Sequence, residues 1–175
     1  LVPLAWVRGE VDASWNAVAQ GWLKAPSEWD RLLGGSWLLN STSKSDARAA
    51  LIGLTDSRDL RIRFLAQMQL RRDEVASVDR ATLDRWQAEI DAAPADLRGG
   101  PRWLVATALA RLSPGDEAAL AFLRCSLDEA RHEAWQAEAL FGAIRQLASN
   151  QPDEAARLRD ELLRRFPQSD AARLA

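Results

Sequence analysis

His132 is the only histidine, in the stretch Asp128-Glu129-Ala130-Arg131-His132-Glu133. A zinc site needs three or four ligands, and the helical motif that supplies two of them sets histidines four residues apart; Gln136 stands where the second would be. His132 therefore reads as a helix-start or surface residue. Cys125, the single cysteine, shares a helical stripe with Ala118 and Phe122 and has no neighbouring base to support a thiolate, so a small buried side chain is expected. One thiol excludes an intrachain disulfide and a cysteine metal cage. Paired acids such as Asp128-Glu129 and Asp153-Glu154 do acid–base work only when the fold brings them to a cleft, and solvated helix starts are their ordinary use. Neither Gly34-Gly35, set in an apolar stretch with no following Lys-Ser or Lys-Thr, nor Gly99-Gly100, before Pro101, makes a phosphate loop. No catalytic, metal or cofactor-binding residue is assigned, and the expectation is a protein that is not an enzyme and has no cofactor.

Two groups stand above this background as candidate partner-binding residues. Arg58, Arg61, Arg63, Arg71 and Arg72 face only Asp59 over residues 58–72, a local excess of four positive charges. They read as a solvated face with salt links to Asp73-Glu74, or as a patch for an acidic peptide or a carboxylate, which guanidinium recognises in bidentate fashion. Five of the eight tryptophans, Trp6, Trp15, Trp22, Trp29 and Trp37, lie in the first 37 residues. Trp15 and Trp22, seven apart, share a helix face with Ala19; with Trp29 they read as packing knobs or as an aromatic contact surface for a partner or a sugar. Nucleic acid is not an expected partner, because 23 basic residues against 25 acidic ones leave a net charge of −2 and few aromatics interleave with the arginines.

The elements that must position these residues are helices. In 175 residues there are 32 Ala and 26 Leu but only 15 Val, Ile and Thr together and no Tyr, a composition that favours helix over sheet. With 47% hydrophobic and 27% charged residues the chain has the makings of an ordinary globular core. No run approaches 18 apolar residues, so no membrane span is expected and a soluble protein is. The start at Leu1 is what a processed form or a piece of a longer chain gives. Of the 23 basic residues 21 are Arg, a coding bias more than a chemical signal.

Helix-start residues recur at Asp12, Ser45, Asp79, Ser113 and Asn150, with spacings of 33, 34, 34 and 37. A second set interleaves at Ser27, Ser57, Pro101, about Arg131 and Ser169. The spacing predicts helices near 12–24, 27–40, 45–55, 58–73, 80–93, 101–112, 114–129, 132–148 and 152–166, with a further start from 170. Residues 60–70 resist: Leu60, Ile62, Phe64, Ala66, Met68 and Leu70 alternate with mostly polar residues, as in a strand. A lone strand would leave its ladder groups unpaired, whereas an inner helix with arginine stems across its neighbours takes the same residues.

Two helices per period of about 34 residues suit stacked helix hairpins, because one hairpin cannot bury its apolar face alone. Local echoes agree. Pro114-Gly115-Asp116-Glu117-Ala118-Ala119 is answered by Pro152-Asp153-Glu154-Ala155-Ala156, and Trp103 with Leu109-Ala110 is answered 32 residues on by Trp135 with Phe141-Gly142. Small residues at Gly34, Ala66, Ala110 and Gly142 are the expected points of close helix approach.

Over residues 132–175 Trp135, Phe141-Gly142, Ala155 and Phe166-Pro167-Gln168-Ser169 followed by Ala171-Ala172 resemble one degenerate repeat of the tetratricopeptide superfamily. Residues 1–99 match that family only in period, and a HEAT-like superhelix stays open beside it. The resemblance implies an all-α fold of antiparallel hairpins stacked as a short α-α superhelix. It implies a single repeat domain over 1–175, with a Trp-rich part at 1–44 and hairpins over 45–175. The function it implies is a noncatalytic scaffold for a protein or peptide partner. The ending Leu162-Leu163-Arg164-Arg165-Phe166-Pro167 is similar to hairpin ends of bacterial envelope-associated members, which implies a bacterial cell-envelope or periplasmic setting. Two alternatives follow from the tryptophans: a carbohydrate-binding or accessory domain, and a structural module that self-associates as a homo-oligomer.

Overall fold

The computed structural model describes residues 13–128 and 132–175. Trp6, the helix start at Asp12 and the one near Arg131 lie outside the described residues. Among the described residues there are α-helices and short 3-10 turns and no strand. In chain order the helices are α1 (Ala13–Leu23), α2 (Glu28–Leu38), α3 (Lys44–Leu54), α4 (Leu60–Leu70), α5 (Arg80–Ala92), α6 (Gly99–Leu112), α7 (Asp116–Asp128), α8 (Glu133–Leu147), α9 (Pro152–Arg165) and α10 (Asp170–Leu174). Among the described residues none is long and apolar enough to cross a membrane.

Local chemistry explains most of the helix starts. Ser27, Asp79 and Ser169 stand in extended conformation and accept hydrogen bonds from the amides of Asp30, Thr82 and Ala172, each worth about 1 kcal/mol. Other starts are shifted. Ser43 rather than Ser45 precedes α3, and Asp59 rather than Ser57 caps α4, accepting from the Arg61 amide at 2.8 Å. Ser113 closes α6 instead of opening α7, its amide donating to the Leu109 carbonyl at 2.8 Å. Gly115, at φ 123°, then makes a turn that an L side chain would strain.

The alternating stretch is α4, a helix and not a strand. A strand would put Leu60, Ile62, Phe64, Ala66, Met68 and Leu70 on one side, yet Leu60 is 65% exposed while Leu65 and Gln69 from the opposite set are buried. Ile62, Leu65, Ala66 and Gln69 fall at helical spacing and form the buried face.

The described residues fold as two compact units that divide between Glu74 and Val75. In the first, α1 packs on α2, α2 on α3, α3 on α4, and α2 also on α4. Two adjacent glycines let α2 approach helices on two sides. A Cβ on Gly34 would stand 2.6 Å from the Ala19 carbonyl oxygen and 2.9 Å from the Leu23 nitrogen of α1, and one on Gly35 would stand 2.9 Å from Leu51 Cγ of α3. Glycine inside a helix costs about 0.5–1 kcal/mol relative to alanine, a cost that the close packing offsets.

The second unit packs α5 on α6, α6 on α7, α7 on α8, and α8 on both α9 and α10. Gly142 of α8 faces the Phe122 ring, where a Cβ would come within 2.7 Å. Trp103 meets Phe122 edge-on at 5.1 Å and lies 5.3 Å from the Trp135 ring. Cys125 is fully buried among these residues, in the small apolar role its stripe predicts. Gly34 and Gly142, both predicted points of close approach, are positions where an added Cβ would collide with the neighbouring helix.

Candidate functional site

Ordinary helix geometry separates the predicted arginines. Arg58 and Arg61 are exposed at the start of α4, Arg63 is half-buried one turn on, and Arg71 and Arg72 follow its far end. Eleven helical residues span roughly 16 Å. Arg72 turns inward: its Nη1 donates to the Ser36 carbonyl at 2.9 Å and to Gln69 Oε1 at 3.0 Å. Ser36 lies in the last turn of α2, where carbonyls lack helical partners and the helix dipole is negative, so the guanidinium caps that end. Burial pushes the Arg72 pKa down to about 10, against the pull of the neighbouring Asp73 carboxylate. Asp73 itself is held by Lys44 at 2.8 Å and Arg48 at 3.0 Å. Arg71 reaches the Met68 sulfur at 3.5 Å.

The described tryptophans of the first unit lie on α1 and α2. The Trp15 ring stacks on Trp37 at 6.0 Å with 15° between planes, and Trp22 tilts against Trp15 at 6.2 Å. Trp37 is buried with Ala19, Leu38 and Ala47, and Trp22 packs on this cluster. Trp15 and Trp29 keep 40% and 38% of their surface in solvent.

His132 is exposed and precedes α8, and its side chain does not cap the helix amides. Among the described residues no three His, Cys, Asp or Glu side chains are gathered as metal ligands.

In the second unit a groove of about 500 Å³ runs across α5, α6 and α7. Its floor is apolar: Ile90, Val105 and Leu109 are all buried beneath it. Leu120, on the α7 lip, is 58% exposed. Ion pairs occupy much of the rim. Arg102 Nη2 meets Asp91 Oδ1 at 3.0 Å. Arg80 grips Glu117 with two bonds of 2.6 and 2.8 Å and sends its Nε to Asp84 at 2.9 Å. That grip holds the Glu117 carboxyl below the usual range and raises the Arg80 guanidinium above its own.

No protein-family model, curated protein or solved structure matches this chain. The groove is an apolar trough edged in part by paired charges, Asp91 with Arg102 and Glu117 with Arg80. None of its residues was a predicted site residue. One signal was present, since residues 118–123 are apolar without a break, more than one helix face can bury, so a side chain such as Leu120 must face outward.

Proposed function

We propose that this chain is a noncatalytic interaction domain that holds a segment of a partner protein on a surface of stacked helices, an arrangement of the tetratricopeptide or HEAT-like kind. The observation that carries the reading is the groove across α5–α7, where a buried apolar floor opens beside the exposed Leu120. Within each unit the helices pack on their neighbours in sequence, with glycines at close approaches, which agrees with a helical stack. Apolar grooves between helices are a recurring way to take up an amphipathic segment.

Affinity selection of a random peptide library on the full chain tests it. Selected peptides are expected to lose binding when Leu120→Asp places a charge on the lip. Binding on a glycan array that Trp15→Ala abolishes, with no peptide selected, would favour the carbohydrate reading instead.

A further inference from the structure

Resting on that reading, the charges around the groove narrow the class of segment. Asp91 is matched by Arg102, and Glu117 and Asp84 are matched by Arg80. Arg124 lines the same groove, is exposed, and has neither an ion pair nor a hydrogen bond to any described residue. It stands on α7 between Leu120 and Leu127, which are 58% and 76% exposed. Positions 120, 124 and 127 are one and two helical turns apart and share a face. The lip of the groove therefore presents the uncovered Leu120 and, one turn on, a guanidinium that no described side chain pairs, with the exposed Leu127 following on the same helix face.

An apolar segment seated on Leu120 and the floor displaces water from the side of Arg124. That strengthens the attraction of the guanidinium for an anion and makes an unpaired occupant unfavourable. The ligand that satisfies both demands is apolar and carries a planar anion that guanidinium can take in bidentate fashion. We propose that the groove binds a partner-protein segment whose apolar side chains cover Leu120 above Ile90, Val105 and Leu109 and whose carboxylate pairs with Arg124. An aspartate or glutamate side chain and a free C-terminus offer the same carboxylate chemistry.

A random peptide library, made once with free and once with amidated C-termini, is selected on the full chain and the enriched peptides are measured by fluorescence anisotropy. The expected result is enrichment of apolar peptides bearing Asp or Glu in both pools, or enrichment in the free pool alone when the terminus supplies the anion. Arg124→Gln should weaken them about three- to tenfold, within the reach of one partly exposed ion pair. Arg124→Glu should weaken them further, and added salt should erode the difference between wild type and variant. Both positions are exposed, and helicity by circular dichroism confirms that the variants fold. Peptides that need Leu120 but ignore Arg124 and lack acidic enrichment would overturn the carboxylate while leaving the groove standing. Peptides indifferent to Leu120→Asp, or no enriched peptide at all, would overturn both. Self-association abolished by Leu120→Asp would replace the partner segment with a second copy of the chain.

Discussion

Arg72 of the first unit and Arg124 of the second are used in opposite ways. In the first, Arg72 turns inward to bridge the Ser36 carbonyl and the buried Gln69, and the buried Ser57 donates to Glu28 at 2.6 Å. In the second, the interior around Phe122, Trp103 and Trp135 is held mainly by ring and methyl packing, and arginines sit on the groove rim. Two arginines of this unit turn inward as well, Arg165 to the buried Gln136 and Arg98 to the Ala93 carbonyl at the end of α5, each at 2.8 Å. A run of basic residues therefore does not say where positive charge is available. The five-arginine run of the first unit commits Arg72 to a helix end, while Arg124, which belongs to no run, is left open beside an apolar trough.

The largest effect expected from breaking this contrast is at Trp135, which is 1% exposed. Trp135→Ala should cost about 3–5 kcal/mol through the cavity it leaves, measured by denaturant unfolding of the full chain. In the first unit Arg72→Ala should cost about 2 kcal/mol, because it strands the Ser36 carbonyl and the Gln69 amide oxygen without their donor. A loss near zero would mean that this unit is not held by its inward arginine.

Helix content was legible because an excess of Ala and Leu with few β-branched residues leaves little else. The tight points Gly34 and Gly142 were legible because each follows a large apolar residue on a predicted helix. Residues 60–70 were ambiguous in that short apolar alternation fits both periods, and only the burial of Leu65 and Gln69 separates them. Ser113 misled because the turn is made by Gly115, whose positive φ no pattern of caps announces. The groove needed three helices to converge and needed each charge to be assigned a partner; pairs 11 and 37 residues apart, Arg102 with Asp91 and Arg80 with Glu117, are not visible in a linear reading.

Smaller effects sharpen the same comparison. Gly34→Ala should destabilise by about 1–3 kcal/mol and Gly142→Ala by less, because Gly34 meets backbone atoms that cannot yield whereas Gly142 meets a ring that can shift. Thermal unfolding of the two variants ranks them. Arg58→Ala, on an exposed side chain, should stay within about 0.5 kcal/mol of wild type.

The smallest effect concerns acid. The Thr82 amide holds the Asp79 carboxyl below its ordinary pKa, so the folded state keeps its proton off more readily than the unfolded chain. The resulting stabilisation is present above the unfolded pKa and is lost as pH falls through the folded one. Asp79→Ser keeps a capping oxygen without the charge, and should flatten the acid limb of the urea midpoint against pH.

Hydrogen exchange of the full chain with and without a library-selected acidic peptide tests the central claim most directly. Slower exchange over 87–91, 102–109 and 117–124, with residues 58–72 and 15–29 unchanged, is the predicted result. Protection over 58–72 or 15–29 with the groove unaltered would contradict it.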